Sequence, residues 1–141
     1  MTTVSGVSLR FENRPTKRGA IVIVNDSVDV DIAVSQFEFL LRLVYCRLYK
    51  QGGYATVRDL DAEPTLIHQR ATRLRLNLNT QVYAGFGRAV ITSIGHGCYQ
   101  LQVEPDAMSV SSDFCRLAQL MVPSSVWEKI VDYFRKRRPE P

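Results

Sequence analysis

The chain has 141 residues, 45% of them hydrophobic, and carries a formal net charge of +4 with a sequence pI of about 9.1. This suits one domain with an ordinary buried core, and the mild basicity permits a polyanionic partner without demanding one. The apolar runs are too short to span a bilayer, and Met1 to Gly6 has neither the charged start nor the apolar core of a signal peptide, so no membrane partner and a cytoplasmic location are expected.

Three widely spaced cysteines, Cys46, Cys98 and Cys115, form no Cys-x-x-Cys pair and read as small buried thiols in a reducing compartment. His68 and His96 have no spaced Cys or carboxylate partners. No metal or other cofactor is expected.

Residues 4 to 32 read as β. Val7, Leu9 and Phe11 alternate with Ser8 and Arg10, as on a half-buried strand. Asn13 to Gly19 is a charged turn, Ala20 to Val24 a β-branched run, Asn25-Asp26 a turn, and Val28, Val30 and Ile32 alternate again. The short loops predict a small antiparallel sheet. Ser35 to Glu38 has the pattern of a capping box, followed by Phe37, Leu40, Leu41, Val44 and Leu48 at helical spacing and a stop at Gly52-Gly53. A second box, Thr56 to Asp59, opens a very short helix that includes Leu60.

Pro64 then occupies a first-turn position of a helix expected over residues 64–79. Ile67, Ala71, Leu74 and Leu78 share one narrow face of it. The opposite face carries Thr65, Gln69, Thr72 and Arg73, flanked by His68, Arg70, Arg75 and Asn79, with no acidic residue in the stretch. An apolar back with a front of arginines and amides suits phosphates and base edges; a basic solvated face that binds nothing is the bland alternative. Arg88 to Ile94 and Tyr99 to Val103 read as two strands around the tip Gly95 to Cys98, a hairpin over residues 88–103.

Pro105 to Asp113 reads as a polar linker, Phe114 to Met121 as a short helix, and Ser125 to Glu128 as a third capping box before Trp127, Ile130, Val131 and Phe134. Two fates are open to the apolar stripe within residues 114–134: packing on its own domain, the commoner one, or a homodimer interface, where Trp and Phe are enriched. The tail Arg135 to Arg138 is basic. The expected fold class is α+β: an N-terminal antiparallel sheet, a three-helix core and a C-terminal hairpin over residues 1–104, then a linker and helical extension over 105–141.

Four stretches resemble the winged-helix effector domain of OmpR/PhoB-type response regulators. Ile32-Ala-Val-Ser-Gln-Phe37-Glu38-Phe39-Leu40 is similar to the start of that family's first helix, and Tyr54-Ala-Thr56-Val-Arg-Asp59-Leu60 to its second. Ala71-Thr-Arg73-Leu74-Arg75-Leu-Asn-Leu78 looks like its recognition helix, and Ile91-Thr-Ser93-Ile94-Gly-His-Gly-Cys-Tyr99-Gln-Leu101 loosely like its wing. The resemblance spans roughly residues 6–103. It implies a winged helix-turn-helix that binds double-stranded DNA as a transcriptional regulator, with residues 64–79 in the major groove and residues 88–103 beside it.

Carried over by position, Arg70, Thr72, Arg73, Arg75, Ser93 and Tyr99 match residues that contact DNA in the family. By chemistry Gln69 and Arg73 are the best candidates for base edges, with Thr65, His68 and Thr72 beside them and His96 at the wing tip. Arg70 and Arg75 more naturally meet phosphates. For Tyr99 simple packing is a strong alternative, and for Arg75 pairing with Asp59 or Asp61. Asp61-Ala-Glu63 leaves almost nothing of the family's loop that touches RNA polymerase, and Gly95 stands where the family has an arginine. Repression or an architectural role is therefore favoured over activation. A winged-helix adaptor that binds protein is the runner-up, and no catalytic constellation is legible.

Overall fold

Asn25 and Asp26 both have positive φ, 54° and 62°, the left-handed pair at the centre of a turn closed by the Ser27 N–H on the Val24 carbonyl, which short polar side chains tolerate. With Ser27 they join β2 (Gly19–Val24) to β3 (Val28–Ala33), which pair antiparallel from Val24↔Val28 to Gly19↔Ala33. β1 (Leu9–Pro15) lies antiparallel on the other side of β2, with Leu9 and Phe11 buried and Arg10 between them half-exposed. The expected alternation is thus the one observed. The computed structural model describes residues 6–60, 63–95 and 97–137.

α1 (Val34–Tyr49) follows β3 without a loop. Phe37, Leu41, Leu43, Val44 and Cys46 are fully buried, and Phe39 and Leu40 nearly so. Apolar nearly all round, it is the axis of the core rather than a surface helix. The capping box expected at Ser35 does not form. Ala33 is the N-cap, without a side-chain bond, and the Val34 N–H donates to Arg18 O at 3.0 Å. The strand runs straight into the helix, so Ser35 already lies inside it. Gly52, at φ 76°, ends the stretch in a tight turn that an L side chain would strain.

Thr56, by contrast, forms the predicted box. Its N–H and hydroxyl both donate to Asp59 Oδ2, at 3.0 and 2.9 Å, ahead of α2 (Val57–Leu60). α3 (Pro64–Gln81) then opens with Pro64 in its first turn and buries Ile67, Ala71, Leu74 and Leu78. Residues 88–90 are not strand, as expected, but part of a short helix, α4 (Phe86–Val90). β5 (Ile91–Gly95) and β6 (Cys98–Leu101) form the hairpin, and β4 (Tyr54–Ala55) adds an unforeseen third strand beside β6.

The expected linker 105–113 is also corrected. Within it β7 (Met108–Val110) pairs parallel with β1, Leu9↔Met108 and Phe11↔Val110, and extends the first sheet to the order β3-β2-β1-β7. α5 (Phe114–Ala118) sets the Phe114 ring 5.7 Å from that of Phe11. α6 (Ser124–Arg137) lies against α1. Ile130 is fully buried, and Trp127, Val131 and Phe134 pack against the same core cluster. The stripe considered for a homodimer is thus largely covered within its own chain, by packing on α1. Among the described residues the fold is mixed α+β with two sheets and six helices, and no helix is long and apolar enough to cross a membrane.

Candidate nucleic-acid interface

α3 presents its polar front to solvent. Thr65, His68, Gln69, Thr72 and Arg73 are exposed, and Arg70 is half-exposed at the margin. The apolar back fixes this orientation, because burial of Ile67, Ala71, Leu74 and Leu78 leaves the opposite face no other direction. Leu76 belongs to the same outward stripe and is 63% exposed, which charge-based reading of the helix overlooked. Leu66 is 40% exposed at its edge.

The last turns of α3 are tied to the edge of the first sheet. Gln81 accepts from the Asp31 N–H at 2.9 Å and donates to the Asp31 carbonyl at 2.9 Å, so its amide pairs with β3 as another peptide would. Asn77 Nδ2 donates to the same carbonyl at 3.1 Å, and Gln81 also donates to Asn77 Oδ1. These bonds occupy part of an otherwise open strand edge and set the angle at which the front of α3 meets solvent. They join residues 46 and 50 positions apart, beyond the reach of local pattern reading.

Arg75 points elsewhere. Its Nε donates to the Ile91 carbonyl at 2.9 Å, and its guanidinium carbon lies 5.6 Å from the centre of the Tyr99 ring. Burial depresses its pKa, opposed by Tyr99 and assisted by Arg88. It pairs with neither suggested aspartate among the described atoms; Asp61 lies outside the described residues. Its primary engagement is with the β5 edge. Tyr99 is 4% exposed and packs edge-on against Phe39 at 5.8 Å, so its ring belongs to the core and is not offered at the surface. Ser93 is exposed and accepts weakly from the Gly95 N–H at 3.4 Å. His96 lies outside the described residues.

The charge distribution is sharper than the helix alone indicated. From Pro64 to Val103 there are four arginines, Arg70, Arg73, Arg75 and Arg88, and none of the chain's 14 carboxylates. The net charge of +4 is therefore the charge of this stretch. Ion pairing divides less sharply, since Arg18, Arg58 and Arg116, outside the stretch, are also exposed and have no described carboxylate partner. Arg10, Arg14, Arg42, Arg47 and Lys50, on the sheet and α1, each lie within 4 Å of an Asp or Glu oxygen. No described carboxylate pairs with Arg58, Arg70, Arg73 or Arg88. Arg58 and Arg88 are exposed, and neither was singled out from sequence.

Among the described residues no three His, Cys, Asp or Glu side chains come together to hold a metal. Cys46 is buried, and burial pushes its thiol up to about 12, so it is protonated and unreactive at neutral pH. No protein-family model, curated protein or solved structure matches the chain.

Proposed function

We propose that the chain is a winged helix that binds double-stranded DNA, with α3 in the major groove and the β5–β6 hairpin beside it as the wing. The observation that carries this reading is the acid-free stretch 64–103, which holds the whole net charge of +4 and in which Arg70, Arg73 and Arg88 have no described carboxylate partner. A surface that keeps cations without internal partners gains most from a polyanion, because phosphates replace counterions there. Gln69 and Arg73 are the side chains suited to adenine and guanine edges, with Thr65, His68 and Thr72 around them. Arg70 supplies a phosphate contact. The role that follows is sequence-specific transcriptional regulation, of a repressing or architectural kind.

Fluorescence anisotropy with selected and random duplexes at two salt concentrations tests this. Binding should weaken steeply with salt, and Arg73→Ala should lower affinity for the selected duplex by roughly tenfold or more. Unchanged binding in that variant would sink the assignment of α3.

A second reading has its own observation. Leu66 and Leu76 are exposed on α3, and apolar residues on a polar helix also serve protein contacts. An adaptor would show no salt-dependent duplex binding and would retain a protein partner after nuclease treatment.

A further inference from the structure

We propose that Arg75 and Arg88 together form a seat for one phosphate of the DNA backbone, at the seam where α3, α4 and the hairpin meet. The proposal rests on the DNA-binding reading and adds a contact outside the recognition face.

Three observations carry it. The Arg75 guanidinium is held on one edge by the Ile91 carbonyl, 2.9 Å from Nε, and over the Tyr99 ring at 5.6 Å. Its planar fork is thereby fixed, and its two Nη nitrogens have no described partner. Second, Gly87 of α4 packs directly on the Arg75 backbone, which brings the next residue, Arg88, to the same seam. Arg88 is exposed and has no described carboxylate beside it. Third, the stretch that carries both arginines contains no Asp or Glu from Pro64 to Val103.

Two cations on backbones that touch at this seam favour an anion between them, and nothing in this stretch supplies one. A phosphodiester oxygen pair matches the requirement: a fixed guanidinium fork on one side and a mobile arginine on the other. Such a contact positions the duplex and reads no base.

Salt titration of duplex binding tests the seat. Arg88→Ala should make the slope of log K against log salt shallower by up to about 0.9, the value for one whole phosphate contact, of which Arg75 retains a part. Its affinity should fall by the same factor for selected and random duplexes, with thermal stability unchanged because the side chain is exposed. Arg88→Glu should weaken binding further. A single methylphosphonate linkage scanned along the duplex should weaken the wild type most at one position, and Arg88→Ala should lose clearly less there, because Arg75 alone still faces that phosphate. If Arg73→Ala weakens binding but Arg88→Ala leaves slope and affinity unchanged, or weakens only the selected duplex, the seat is wrong and the DNA reading stands. If the wild type binds no duplex, the DNA reading falls and the seat with it.

Discussion

A β-carbon built on Gly87 would lie 2.3 Å from the carbonyl oxygen of Arg75 and 2.6 Å from its Cα. Two backbones touch here with no side chain between them, and the Gly87 N–H is held by Asn79 Oδ1 at 2.6 Å. Neither backbone can yield without moving α3 or α4. Gly87→Ala should therefore destabilise the fold by about 3 kcal/mol, the upper part of the range for overpacking. Chemical denaturation measures it. A loss below about 0.5 kcal/mol would mean the helices can separate freely, and the rigid seam would be wrong.

Arg73 and Arg75 sit two positions apart and should divide stability from binding. Arg73→Ala removes an exposed, unpaired side chain and should change stability by no more than about 0.5 kcal/mol while lowering DNA affinity. Arg75→Ala removes a half-buried group bonded to Ile91 O and seated on Tyr99, and should cost about 1–3 kcal/mol of stability. Paired urea melts and duplex titrations separate the two. Equal stability losses would refute the division.

The sign of the Thr56–Asp59 box gives a pH prediction. Burial alone would raise the Asp59 carboxyl, but the Thr56 N–H, the Thr56 hydroxyl and the Lys50 ammonium outweigh it and hold the pKa below the ordinary 3.8. A carboxyl depressed on folding stabilises the protein fully above its unfolded value, and the contribution disappears as pH falls through the lower folded one. Asp59→Ala should thus cost about 1 kcal/mol at neutral pH, the usual loss for a cap, and progressively less below 3.8. Urea unfolding of both proteins across that range checks it; a difference that grows in acid would reverse the assignment.

How far the sequence foretold these relationships depended on their range. The back of α3 was legible because Ile67, Ala71, Leu74 and Leu78 repeat at helical spacing. The Asn25-Asp26 turn was legible because few residues tolerate that backbone. The pattern from Ser35 to Glu38 misled, since a cap depends on how the chain enters the helix, and β3 enters without a break. α4 was hidden because Arg88 to Ile94 reads as one strand-like run, whereas Gly87 is required by the approach of α3 and residues 86–90 are helical. Arg75 read as a surface cation because charge says nothing about a long stem folding back over Tyr99. Three residues, Met108 to Val110, are too few to show a period, and only pairing with distant β1 makes them a strand.

That pairing bears on where the chain can be cut. A division after residue 104 follows the composition, but β7 lies across it, on β1. Removing residues 105–141 would leave the β1 edge open along Leu9 to Phe11, uncover the Phe11 ring from Phe114, and strip α1 of Ile130, which is fully buried. An open apolar strand edge invites pairing between chains. Several kcal/mol of apolar burial would also be lost, a large share of the stability of an ordinary domain. A protein ending at residue 104 should therefore aggregate, or unfold without a cooperative transition, even though it retains every residue of α3 and the hairpin. Circular dichroism with thermal melting and light scattering would show it. A soluble, cooperatively folding 1–104 fragment would mean that the last two helices and β7 are an addition to the domain rather than part of its core.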